Sequence, residues 1–197
     1  MRARLLALGV AALVFGLATA APAQELSLSF GAGGFFPTAQ TYREIYGAGV
    51  VFAGDVWLKL KGPLGLSMGF GRLSDDGLAL STSGGSEQFP VKFHRQTIPL
   101  VVFYQLDIGP AAVRAGAGAG FHSFRETWQT VDLDYSGNKA GPRFLLAGSC
   151  RLVKRISLFC SMTYDAIHAA DTSTMPVAFD VQLGGVQIVG GLAFRIF

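Results

Sequence analysis

Cysteine, charged residues and long apolar runs are scarce in this chain, and each scarcity excludes a class of protein. The only cysteines are Cys150 and Cys160. No cysteine that could accept a lipid therefore stands directly after residue 23, which excludes a lipoprotein. Beyond residue 20, no uninterrupted apolar run reaches the roughly 18 residues that a membrane-spanning helix needs. The formal net charge of +3 is too small for the basic surface that nucleic-acid binding requires, so we expect no nucleic-acid partner.

The first 23 residues have the pattern of a cleaved secretory signal. Two arginines precede an apolar run over residues 5–20, and three small residues then supply a cleavage site before Gln24. We therefore predict a signal peptide over residues 1–23 and one mature domain over residues 24–197.

The mature part of the sequence is rich in glycine and in alternating apolar residues. Half of the chain is hydrophobic, 15% is charged and 26 residues are glycine. Eight segments alternate apolar with small or polar side chains, beginning near residues 25, 47, 64, 93, 111, 143, 156 and 186. Polar connections are predicted over residues 74–92, 125–140 and 167–184, and short turns over 61–63, 107–110 and 153–155.

This pattern predicts an all-β fold that spans a membrane. Period-two alternation places one set of side chains toward lipid and the other toward a lumen, and a sheet in hydrocarbon cannot leave an edge unpaired. We therefore predict an eight-stranded antiparallel up-and-down transmembrane β-barrel, with the short turns and both termini on the periplasmic side. Aromatic residues expected near the two membrane surfaces are Phe36, Phe70 and Tyr164 at the outer side and Tyr104 and Phe194 at the inner side.

Four segments also resemble a known group of proteins. The runs IPLVVFYQL (98–106), AAVRAGAGAGFHSF (111–124), VKRISLFCSMTYDAIH (153–168) and GGVQIVGGLAFRIF (184–197) resemble the fourth, fifth, seventh and last strands of the small outer-membrane β-barrel superfamily. That group includes the transmembrane domain of outer-membrane protein A and the W-type proteins.

The resemblance implies a location and partners. It implies the bacterial outer membrane, contact with outer-membrane lipid and lipopolysaccharide, and a monomer. Family members end in an aromatic residue that the barrel-assembly machinery reads, and Phe197 fits that role, although alternation leaves it out of phase with Phe194 and Ile196. The chain stops at the eighth strand, so we expect no peptidoglycan-binding domain.

Several charged residues are predicted to face the lumen. Near the inner end these are Lys59, Arg114, Arg151 and Arg195; near the outer end they are Asp55, Arg95, Arg143 and Asp165. Because buried charges must pair, one interpretation is a salt-bridged plug in the outer half and a solvated cationic ring below it. The alternative is an anion-favouring route or a ligand site.

Inward glycines flank the fourth predicted strand on both sides, at positions 65, 69 and 71 and at 116, 118 and 120. The space they leave can seat the larger inward residues of that strand, such as Phe103. Alternatively, it forms a small apolar cavity, as W-type relatives imply.

The two cysteines lie on one predicted hairpin. If its turn is centred on Arg155, Cys150 faces Cys160 directly, which would permit a disulfide in the oxidising periplasm. The alternative is a pair of unlinked thiols.

We expect no catalysis, metal or cofactor. His122 and Ser123 are consecutive, so a strand points them to opposite faces, and the segment lacks the His-x-Ser-Asn pattern of lipid A deacylases. His94, His122 and His168 lie on different segments without paired carboxylates at ligand spacing. The functions left open are a structural, surface-interaction or small-solute passage role, a narrow channel for small hydrophobic or anionic molecules, and, more weakly, a lipid-modifying enzyme.

Overall fold

The computed structural model describes residues 25–80, 88–129, 133–170 and 180–197. The elements are β1 (Glu25–Pro37), α1 (Gln40–Tyr46), β2 (Gly49–Lys59), β3 (Leu64–Leu80), β4 (Gln88–Ile108), β5 (Ala111–Trp128), β6 (Leu133–Val153), β7 (Ile156–Asp165), β8 (His168–Ala170), β9 (Asp180–Gln182) and β10 (Gly185–Arg195). Within these ranges, eight antiparallel strands close into a barrel in the order β1-β10-β7-β6-β5-β4-β3-β2. The predicted fold is thereby confirmed, while the predicted signal peptide lies outside the described residues.

The two faces of the barrel wall differ as the alternation predicts. Outward aromatic residues such as Phe30 and Phe52 are 61% and 63% exposed, whereas the inward Ser29 and Trp57 are buried. The five predicted girdle aromatics all lie on the outer surface of the wall. A continuous exposed apolar band would be unfavourable in water, so this band identifies the membrane-spanning part of the barrel. Among the described residues, no helix has the length and hydropathy to cross a membrane.

Short turns join the strands at the inner end of the barrel, where β1 begins and β10 ends. Gly62 (φ 92°) and Gly109 (φ 60°) occupy the left-handed region in two of these turns, which favours glycine because it has no Cβ. The third turn contains only Lys154 and Arg155 between β6 and β7.

Four strands extend well past the apolar band at the outer end. β3, β4, β5 and β6 have 17, 21, 18 and 21 residues, although about 9–11 residues suffice to cross a bilayer. The predicted polar connections over 74–92 and 125–140 are therefore wrong, because pairing continues to Leu80 with Gln88 and to Trp128 with Leu133. We call this projecting four-stranded sheet the outer extension, comprising residues 72–80, 88–96, 123–128 and 133–140.

The remaining outer connections also contain regular structure. The first carries α1, which the sequence pattern did not reveal. The predicted connection over 167–184 contains β8 and β9, which pair as a separate two-stranded sheet.

Pro99 interrupts the pairing of β4 on one side only. Met68 pairs with Leu100 and Gly71 with Thr97, but the two positions of β3 between them have no ladder partner on β4. The register is the same on both sides of this gap, so Pro99 causes no bulge. A proline lacks the N–H that the ladder needs, which accounts for the gap.

Candidate functional site

A buried ion pair lies in the outer part of the lumen, where β7 ends. The Nη1 atom of Arg143 on β6 lies 3.2 and 3.3 Å from the two carboxylate oxygens of Asp165 on β7, and its Nη2 donates to Thr163 Oγ1 at 2.9 Å. Asp165 is fully buried. Both predicted lumen charges therefore meet in one charge-assisted interaction across neighbouring strands.

Two further buried groups surround this pair. Arg95 donates from Nη1 to the Leu183 carbonyl oxygen at 2.9 Å, and its guanidinium carbon lies 4.1 Å from the ring centroid of Phe35. His122 shares a 3.0 Å hydrogen bond between Nδ1 and Thr97 Oγ1, and its Nε2 lies 3.9 Å from Asp165 Oδ1. Among the residues that the structure describes, Arg95 thus fills the lumen without a direct carboxylate partner.

Little space remains in this polar layer. A cavity of about 20 Å³ lies beside Asp55, Arg143, Thr163 and Gln187. Such a volume holds about one water molecule. The described side chains therefore fill most of this layer.

Side chains pack over three of the inward glycines. A Cβ added to Gly65 would overlap the ring of Phe103, and one added to Gly69 would overlap the carboxylate of Asp55. Gly116 likewise leaves room for Val101 and Phe103. Of the two interpretations drawn from the sequence, the structure shows seated side chains, and the residual cavity beside them is small and partly polar.

Aromatic residues close the outer end of the lumen. Phe93 on β4 is fully buried, and its ring centroid lies 5.2 Å from that of Tyr42 and 5.6 Å from that of Tyr46, both on α1. The Tyr42 hydroxyl donates to Asp75 Oδ2 at 3.2 Å. Burial raises the pKa of Tyr42, so the hydroxyl stays protonated and keeps this bond. Packing of these aromatics against α1, rather than helix propensity, explains a seven-residue helix that has no side-chain cap.

The inner end of the lumen differs from the predicted solvated cationic ring. Lys59 forms an ion pair with Asp107, and Arg195 Nη2 lies 3.6 Å from Glu25 Oε2. The sequence interpretation overlooked both carboxylates because they lie at strand ends. Arg114 is only 6% exposed and donates from Nε to Gln105 Oε1 at 2.7 Å, whereas Arg151 is exposed.

A cup of about 270 Å³ opens at this end, and Lys59, Arg114, Arg151 and Arg195 all line it. Arg114 lines its floor, and the buried rings of Trp57 and Phe103 lie behind Arg114, with centroids 4.9 and 5.8 Å from its guanidinium carbon. These rings separate the cup from the polar layer above.

The predicted direct pairing of the cysteines is wrong. Cys150 is opposite Leu158, and Cys160 is opposite Gly148 and Gly190. The cause is the turn, which has two residues instead of three and is accompanied by a register shift between Arg151 and Val153. Both cysteines are free thiols exposed on the lipid-facing surface.

The geometry gives no support to nucleophilic catalysis by His122 and Ser123. His122 is buried in the lumen, and Ser123 is exposed on the opposite face of β5. In the four described ranges, no group of three His, Cys, Asp or Glu side chains could hold a metal ion.

The closed wall, the apolar band and the filled lumen define an eight-stranded transmembrane β-barrel. No model of a protein family and no curated protein matches the sequence. Solved structures do match the fold. OprG from Pseudomonas aeruginosa superposes with a TM-score of 0.70 at 12% identity, covering 89% of this chain and 97% of OprG.

Two other solved structures of outer-membrane proteins have a similar fold. A major outer membrane protein from Thermus thermophilus gives a TM-score of 0.59 at 19% identity, covering 87% of this chain and 98% of its own. Neisserial surface protein A gives a TM-score of 0.54 at 12% identity, covering 86% of this chain and 95% of its own. The resemblance noted in the sequence is therefore confirmed at the level of the fold.

Proposed function

We propose that the protein is a monomeric barrel of the bacterial outer membrane that has a closed lumen and acts at the outer surface through its outer extension. The observation that carries the proposal is the contrast between a filled lumen and four strands that continue far beyond the apolar band. At about 3.3 Å per residue, the nine residues of β4 from 88 to 96 project roughly 30 Å along the strand.

The outer extension has the surface of a binding platform. Its outward face is polar and carries exposed Lys92, His94, Arg125 and Asp134. Its other face packs Phe93 and Phe124 under α1, so the sheet is held by a core of its own. The likeness to Neisserial surface protein A, whose name places it at a surface, supports such a role.

The outer surface of the barrel wall also suits the lipids and proteins of the outer membrane. The exposed apolar band suits outer-membrane lipid, and Arg72 on the outward face just above it suits the phosphate groups of lipopolysaccharide. Phe197 is exposed beyond the end of β10, where the barrel-assembly machinery could read it. The role involves no enzyme activity and no nucleic acid.

Location is tested with single cysteines in a background in which Cys150 and Cys160 are replaced by serine. We expect a membrane-impermeant maleimide to label Gln129→Cys, directly after the end of β5, in intact cells, and Lys154→Cys in an inner turn only after cell disruption. Labelling of both sites in intact cells, or of neither, would contradict the proposed orientation.

The role is tested with a shortened extension. Residues 78–90 are replaced by an Asn-Gly turn that links Gly77 to Val91. These two residues are opposite each other in the ladder, so a two-residue turn can join them. In a strain that lacks the gene, attachment to an extracellular-matrix surface and uptake of the hydrophobic dye N-phenylnaphthylamine are measured with each form. We expect the shortened form to fail in attachment as the empty strain does, while dye uptake is the same with and without the protein.

One observation favours a second candidate, passage of small hydrophobic molecules through the wall. The ladder gap beside Pro99 adjoins the cavity in the polar layer, because Phe70 and Pro99 both line that cavity. Under this alternative, Pro99→Val would restore the missing N–H, close the gap and lower dye uptake. Unchanged uptake in that variant would leave the surface role as the better account.

A further inference from the structure

The cup at the inner end has a strong excess of positive charge. The cations that line it are Lys59, Arg114, Arg151, Lys154, Arg155 and Arg195, and the carboxylates are Glu25 and Asp107. Each carboxylate already pairs with one cation, Asp107 with Lys59 and Glu25 with Arg195. Among the residues that the structure describes, the other four cations have no carboxylate within salt-bridge distance.

The shape of the cup concentrates this charge. The inner ends of the strands surround it, and the buried rings of Trp57 and Phe103 lie behind Arg114, so the unpaired cations line one concave space. A cleft with low-dielectric walls and one sign of charge focuses the potential and raises the local concentration of ions of opposite sign. Arg114 lies at the floor with one N–H bonded to Gln105 and its planar guanidinium above the rings.

We propose that this cup binds a small, soluble, multiply charged anion that carries phosphate groups and enters from the inner end. Arginine forks match phosphate oxygens, and the hydroxyls of Ser149 and Ser157 on the same wall can donate to the remaining oxygens. The volume of about 270 Å³ is just below the roughly 300–1,000 Å³ of typical ligand pockets, so the ligand must be small. The cup lies inside the ring of strands, which leaves no place for the acyl chains of a lipid.

The inference is independent of the role proposed for the outer extension. Only the compartment from which the anion enters depends on the proposed orientation. Because the floor is closed, the site is a blind cup and differs from the anion-favouring route that the sequence left open.

Tryptophan fluorescence gives a direct readout. The chain has two tryptophans, and Trp57 contacts Arg114 at the floor, whereas Trp128 lies in the outer extension. In a Trp128→Phe background, the refolded barrel in maltoside micelles is titrated with sodium pyrophosphate, and separately with sodium chloride at equal ionic strength. We expect a saturable change in Trp57 emission with pyrophosphate and none that saturates with chloride.

Variants locate the site. Arg151→Gln combined with Arg155→Gln removes two rim charges and should weaken pyrophosphate binding about tenfold, because each exposed charged contact contributes only modestly. Arg125→Gln on the outer extension is the matched control and should leave binding unchanged. Arg114→Lys keeps the charge but not the fork, and should weaken binding while the barrel still shifts in gel mobility.

The proposal is overturned if the folded protein gives no saturable response to pyrophosphate, or if chloride at equal ionic strength reproduces the response. It is also overturned if Arg125→Gln weakens binding as much as the rim variant does, because the anion would then be held by general surface charge. Saturable binding that the rim variant weakens and the control does not supports the cup.

Discussion

The buried pair between Arg143 and Asp165 makes a quantitative test of how the lumen is filled. Asp165→Asn keeps the volume of the side chain but removes its charge, which leaves the buried Arg143 guanidinium without the carboxylate that it contacts directly. Breaking a buried ion pair by removing one partner costs about 3–5 kcal/mol. Because the amide oxygen of asparagine can still accept one hydrogen bond, we expect the lower end of that range, about 3 kcal/mol.

A double-mutant cycle separates the pair from the loss of each side chain. Arg143→Met in the Asp165→Asn background removes the stranded cation, so we expect the double variant to recover part of the lost stability. The coupling free energy should fall at about 1.5–3 kcal/mol, the upper part of the range for residues in direct contact. Recovery would show that the cost arises from an uncompensated charge rather than from poorer packing.

The assay is urea unfolding of the barrel in lipid vesicles, with the folded fraction read from the gel mobility of unboiled sample. Asp134→Asn is the matched control, because Asp134 is exposed on the outer extension and makes no ion pair within the described ranges. It should change the free energy of unfolding by less than about 0.5 kcal/mol. If Asp165→Asn were as harmless as this control, the account of a lumen held together by the ion pair would be refuted.

Three further outcomes follow from particular contacts. Gly65→Ala places a methyl group against a buried aromatic ring and should cost about 1–3 kcal/mol of unfolding free energy, whereas Gly148→Ala, which has open space around it, should cost less than about 1 kcal/mol. Thiol titration of the denatured protein should find two thiols per chain with and without prior reductant, and a count of zero without reductant would mean that Cys150 and Cys160 are bonded. Tyr42→Phe removes one hydrogen bond and should speed amide exchange in α1 by about tenfold or less, so an unchanged exchange rate would mean that the bond does not hold the helix.

The alternation of side chains was enough to predict the barrel and the direction of most side chains. Inward positions such as Arg114 and Asp165 follow from period two alone, because a strand allows only two directions. The alternation does not predict which side chains on neighbouring strands pair with each other. The pairing of Lys59 with Asp107 depends on how the strand ends meet. A one-residue difference in the turn at Arg155, together with the register shift between Arg151 and Val153, moved the residue opposite Cys150 from Cys160 to Leu158.

The outer extension shows why composition misled the interpretation of the connections. Above the apolar band the outward residues become polar, as at His94 and Arg125, because they face water instead of lipid. The inward residues keep the same period, as at Phe93 and Phe124, since they still cover a core. A polar stretch with alternating aromatics therefore indicates a strand that has left the membrane, and that signal was present in the sequence. No comparable sequence pattern predicted α1, because that helix depends on the tertiary packing of Tyr42.

Conductance of the refolded protein in a planar bilayer tests the closed lumen most directly. Folding is first verified from the gel mobility of unboiled sample. We expect a folded barrel that gives no unitary current steps, because the polar layer leaves a cavity of only about 20 Å³ and aromatic rings close the lumen above and below it. Stable unitary steps, above all with anion preference, would contradict the account and would mean that the lumen opens.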